Sequence, residues 1–150
     1  MDAMLPELEE ADRASRLTDD VETVISSLAE PDSAQVSHLD QGCIWRFRYG
    51  TAEVYVQMTG TTPDDMLTVW SSVLKLPVQQ QTELFQHLLE LNWATTMEAR
   101  FAILNQEVVV VGTRSLQDLD PSETARLITV VASLADLYDQ DLKARFPAVQ

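Results

Sequence analysis

The chain has 150 residues, 45% of them hydrophobic, and its 24 Asp and Glu against 10 Lys and Arg give a formal net charge of -14. That length suits one domain with a sizeable core, and that charge repels phosphate backbones and anionic lipid, which argues against nucleic acid and membrane surfaces as partners. A single cysteine, Cys43, excludes an internal disulfide and a zinc site built on thiolates, and fits a reducing compartment.

The acid is crowded at the start, where residues 1–32 hold ten Asp and Glu against two Arg. Residues 1–17 read as an acidic N-terminal extension, either a solvated helix or a partly disordered tail. A single domain is expected over residues 18–150. The N-terminus is acidic where a signal peptide would be basic, and no apolar run nears the roughly 20 residues of a bilayer span. The expected compartment is the cytoplasm.

From Thr18, a candidate N-cap, Val21, Val24, Ile25 and Leu28 recur at i, i+3, i+4 and i+7. This predicts an amphipathic helix stopped by Pro31. "CIWRFRYG" and "TAEVYVQMTG" alternate in the manner of strands, and Gly50–Thr51 between them predicts a tight antiparallel hairpin. "MLTVWSSVLKL" predicts a third strand. Pro77 opens a central helix of about four turns through "VQQQTELFQHLLELNW". "ARFAIL" and "EVVVVGTR" predict two strands joined by the turn "NQ", with Ala99, Phe101 and Ile103 facing a core. Asp120 as N-cap, Pro121 at the first helical position and Glu123 open a last helix of roughly 25 residues. The order is α-β-β-β-α-β-β-α. It belongs to the α+β class, with a twisted, mainly antiparallel sheet and flanking helices.

Chemistry is sparse by comparison. His38, expected in a loop, and His87, on the central helix, are the only histidines and lack metal-ligand spacing. Gly42, Gly50, Gly60 and Gly112 form no phosphate-binding pattern. Asp136, Asp139 and Asp141 read as the solvated side of the last helix. Nothing assembles a nucleophile, a base and an oxyanion hole, so no catalytic residue, metal or cofactor is assigned. Arg46 and Arg48 share one side of a strand, where they can pair with Glu53 or meet an acidic partner.

The segments "YGTAEVYVQM", "SSVLKLP", "LLELNWATTMEARFAI", "VVVVGTRSLQDLDPSE" and "VVASLADLYDQDL", in this order, resemble the YbjN family over about residues 18–146. Its members are bacterial proteins described as sensory-transduction regulators, with a fold similar to type III secretion chaperones of the Tir-chaperone kind. Those chaperones are acidic homodimers that hold an extended segment of a client protein. The resemblance implies a non-enzymatic chaperone or adaptor that binds a client or regulatory protein, as a homodimer. The candidate binding surface comprises Val24, Ile25 and Leu28 of the first helix, Trp45 and Tyr55 of the hairpin, and Trp70. The alternative is a small-molecule sensor with a pocket between sheet and last helix, bordered by Trp93 and Arg114.

Overall fold

The computed structural model describes residues 4–150. Helix α1 (Met4–Leu28) is followed by strands β1 (Gln35–His38), β2 (Cys43–Tyr49), β3 (Ala52–Met58) and β4 (Met66–Lys75). Helix α2 (Gln81–Ala94), strands β5 (Arg100–Leu104) and β6 (Glu107–Ser115), and helix α3 (Pro121–Arg145) complete the chain. The six strands form one sheet in the order β1-β2-β3-β4-β6-β5, antiparallel throughout.

The α+β order holds, with one strand added in front of the expected three. All four residues of β1, "QVSH", are exposed, so the segment lacks the alternation that would mark it as a strand. Pairing with β2 creates it, with Val36 opposite Trp45 and His38 opposite Cys43. The Cys43 thiol lies 3.4 Å from Nδ1 of His38. His38 is therefore a strand residue and not a loop one.

Helix α1 begins at Met4, so Thr18 is a mid-helix residue and not the cap. The first three residues of the expected extension lie outside the described residues. The rest of it continues into the helix as an acidic, mostly exposed stretch. Its anchor is Arg13, whose Nη2 donates to the Leu116 carbonyl at 2.7 Å. Further along, Leu17, Val21 and Ile25 recur every four residues and are buried.

Register decides what lies inside. Trp45, Val56, Val69 and Gly112 are successive partners across the sheet, and Phe47 and Val54 pair beside them. Phe47, Val54, Val56, Val69 and Val110 are fully or almost fully excluded from solvent. Each such side chain stabilises the fold by about 1.5–3 kcal/mol. Helix α3 lies over this face. A Cβ on Gly112 would come within 2.6 Å of Leu127 Cδ1 and 3.4 Å of Val131 Cγ2, so the missing side chain is what lets helix and sheet approach. Ile128, Val131, Ala135 and Leu142 carry the buried stripe of α3.

The helix ends follow capping chemistry. Asp120 accepts from the Glu123 backbone N–H at 2.8 Å, with Pro121 as first helical residue. Glu123 turns its carboxylate to Arg114. Helix α2 starts at Gln81 and not at Pro77, because Val78 is held in a β-bridge to Ala148. The expected solvated face of α3 is not uniform. Asp139 is buried, and the Thr51 hydroxyl donates to its Oδ2 at 2.8 Å. The Thr51 backbone N–H donates to Asp136 Oδ1 at 2.9 Å, so α3 clamps the β2–β3 turn. Gly50 in that turn has φ +58°, and a Cβ there would strike Asp136.

Candidate protein-binding face

Helix α3 and the buried parts of α1 and α2 all cover the face that carries Phe47, Val56 and Val110. Among the described residues no helix is seated on the opposite face. One cross-strand row there reads Gln35, Arg46, Tyr55, Trp70, Val111 and Arg100. Tyr55 and Trp70, direct partners in register, stack with ring centroids 5.3 Å apart and planes 12° from parallel. Both are half-buried, although no second layer lies over them. Aromatic pairs of this kind contribute about 0.5–1.5 kcal/mol beyond their area, and here they also present an apolar centre to solvent.

Cations surround that centre. Arg46, Arg48, Lys75 and Arg100 point to this side, against the carboxylates of Glu53 and Glu107. Arg46 Nε lies 3.0 Å from Glu53 Oε1, and its Nη2 donates to Gln35 Oε1 at 3.1 Å. Among the described residues Arg48, Lys75 and Arg100 have no carboxylate within 4.0 Å. At the end of the face where β4 finishes, the surface sinks into a cavity of about 710 Å3. Tyr55, Trp70, Val109, Lys75, Lys143 and Phe146 are among its walls.

The six residues expected to form one binding surface divide. Tyr55 and Trp70 stand together on the open face. Ile25 and Trp45 are buried on the opposite, helix-covered side, so neither is offered to a partner. Val24 and Leu28 are partly buried and pack against the same core. Trp45 lands inside because its register partner is Val56, on the face that α3 covers.

Trp93 and Arg114 are not brought together. Trp93 is 93% exposed and projects from α2, where it shares a shallow apolar hollow with Phe85 and Leu89. It does not cover the sheet. Arg114 lies on β6 in an ion pair with Glu123 and lines neither that hollow nor the cavity. Ile103, expected inside, is exposed.

The polar groups elsewhere serve local structure. Burial, with Glu22 as a lesser cause, raises the Cys43 pKa, the reverse of what activates a nucleophilic thiol. His87 meets Arg145 Nη1 at 3.1 Å and leans on the Phe146 ring. Among the described residues no group of three or more His, Cys, Asp or Glu is placed to hold a metal. Among the described residues no helix is long and apolar enough to cross a membrane.

An antiparallel sheet with its helices on one face defines a protein of the α+β class. A chain from a crystal structure titled as the ExsC–ExsE complex matches with a TM-score of 0.54 and 10% identity, over 85% of this chain and 93% of that one. At that identity the likeness is one of fold. No curated protein matches the sequence. The profile of the YbjN family, described as "Putative bacterial sensory transduction regulator", matches residues 18–144. The chain belongs to the YbjN family.

Proposed function

We propose that the protein is a non-enzymatic, cytoplasmic adaptor of chaperone-like kind, which binds a segment of a client or regulatory protein on the open face of its sheet. The observation that carries this reading is the uncovered Tyr55–Trp70 stack with cations around it. Half-buried aromatics ringed by polar groups are the composition of interface centres. The family's description as a regulator and a fold neighbour solved in a complex support it. The binding unit is the domain of residues 18–150, with residues 1–17 an acidic extension to it. Tagged wild type and a Trp70→Glu variant should be compared in pull-downs from native extract. A stoichiometric protein retained by wild type and lost by the variant, with its circular dichroism unchanged, is the expected result. Equal recovery by both, or recovery by neither, rejects the face.

The adaptor works as a homodimer in this reading, and helix α2 supplies the contact. Phe85, Leu89 and Trp93 recur every four residues, and Leu89 and Trp93 are 70% and 93% exposed. A two-fold axis beside Leu89 sets the two leucines together and Phe85 of each copy against Trp93 of the other. Such self-complementarity is what an isologous interface needs.

The cavity below Trp70 favours a second reading, a small-molecule sensor. Its 710 Å3 lies within the roughly 300–1,000 Å3 range of ligand sites. This moves the alternative site from Trp93 and Arg114 to Lys75, Lys143 and Phe146. A thermal-shift screen with no compound raising the melting point would remove it.

A further inference from the structure

We propose that the segment taken by the open face is acidic: an extended stretch with carboxylates six residues apart and two apolar side chains between them. This rests on the reading that the face binds polypeptide, and it names the chemistry of the partner. Charge is the first argument. The chain is strongly anionic, yet the strands of its open face turn four cations outward against two carboxylates, with Glu30 and Asp32 bordering only the hollow beside Arg46 and Arg48. Long-range attraction would draw basic partners to this protein, whereas the face itself is built to repel them.

Spacing is the second argument. Arg46 and Arg100 lie on one row and are separated by β3, β4 and β6. Four inter-strand steps of about 4.8 Å put their Cα atoms about 19 Å apart. An extended chain advances about 3.3 Å per residue and returns to the same side every second residue. Carboxylates at positions i and i+6 therefore reach both arginines from one side, and the side chains at i+2 and i+4 meet Tyr55, Trp70 and Val111. Arg46 is already paired with Glu53, but that pair is half exposed, and solvent-exposed ion pairs contribute little. A guanidinium has five N–H donors, and the observed contacts leave others for a second carboxylate.

A single-stranded nucleic acid is the other anionic polymer that cations and aromatics can hold. The stack argues against it. Tyr55 and Trp70 face one another at 5.3 Å, which leaves no room for a base between them. The net charge opposes a strand with a phosphate at every nucleotide more than it opposes a peptide that carries two carboxylates.

The test is fluorescence anisotropy with the full chain and a labelled nine-residue peptide. The peptide has glutamate at its second and eighth positions, leucine at the fourth, tyrosine at the sixth and threonine or serine elsewhere. It should bind at least tenfold more tightly than versions with lysine or glutamine in place of both glutamates, and its affinity should fall with added salt. Both arginines are exposed, so R46E/R100E should fold normally and reverse the preference towards the lysine peptide. Equal or tighter binding of the lysine or glutamine peptide overturns the inference. So does glutamate-peptide binding that R46E/R100E leaves unchanged. If such charge-indifferent binding is lost on Trp70→Glu, the adaptor reading stands without an acidic partner. If a panel of unrelated peptides also fails to bind, or only an oligothymidylate binds, both readings fall.

Discussion

Asn92 holds Phe101 by both of its backbone polar groups. The Phe101 N–H donates to Asn92 Oδ1 at 2.7 Å, and Asn92 Nδ2 donates to the Phe101 carbonyl at 3.2 Å. The amide thus takes the place of a neighbouring strand at the free edge of β5. It joins helix to sheet, and it blunts an edge that would otherwise recruit another chain.

Asn92→Ala should therefore destabilise the fold by about 1–3 kcal/mol, because two partly buried backbone groups lose their partner. Urea unfolding of the variant should show a lower midpoint with an unchanged slope. The bared edge should also raise aggregation on standing, measured by light scattering. A midpoint equal to wild type would mean that water replaces the amide without cost.

Thr51→Val removes the hydroxyl that donates to buried Asp139 and leaves that carboxylate only the Gln140 N–H, at 2.7 Å, among the described residues. Hydrogen bonds to charged groups contribute about 1.5–3 kcal/mol, and a loss of that order is expected in thermal unfolding. Gly50→Ala should be worse, since it combines a positive φ with a clash on Asp136. If Thr51→Val melts with the wild type, α3 does not clamp the turn.

Much of the fold is legible in the sequence, and what is not has a common cause. Alternation placed β2, β3 and β4, and the cap at Asp120 placed α3, because those signals are local. Alternation does not say which sides of two strands share a face. It does set Trp45 with Phe47 on the core side of β2, but grouping Trp45 with Tyr55 as one surface needs the β2–β3 register, which puts the two on opposite faces. The role of Asn92 needs a strand nine residues on, and β1 exists only through its partner. Asp139 reads as solvated in the sequence because the hairpin turn that buries it is distant along the chain.

Asp65 is a pH probe on the surface. Its carboxylate accepts from the Thr62 hydroxyl at 2.8 Å, from the Thr62 N–H at 3.0 Å and from the Thr59 hydroxyl at 3.0 Å. The Thr62 side-chain bond leads these in holding its pKa below the ordinary carboxylate value. A folded-state pKa below the unfolded one means stability fully present above the unfolded value and lost as pH falls through the folded value. Carbon-detected NMR titration should put the Asp65 midpoint below that of a model peptide, and Thr62→Ala should move it upward. An unmoved midpoint would assign the depression to the Thr62 N–H and the Thr59 hydroxyl.

The α2 stripe gives the proposed homodimer its own test. Leu89 and Trp93 are largely exposed, so replacing them should spare the monomer's core. Leu89→Asp places two carboxylates against each other at the proposed axis, where burying an unpaired charge costs several kcal/mol. Sedimentation equilibrium should give a dimer mass for wild type and a monomer mass for Leu89→Asp, with matching circular dichroism. Trp93→Ala should weaken association at least tenfold by removing the largest apolar side chain of the contact, equivalent to about 1.4 kcal/mol. A wild-type chain that sediments as a monomer at high concentration would leave the stripe without a second copy. A dimer indifferent to both substitutions would move the interface to another face.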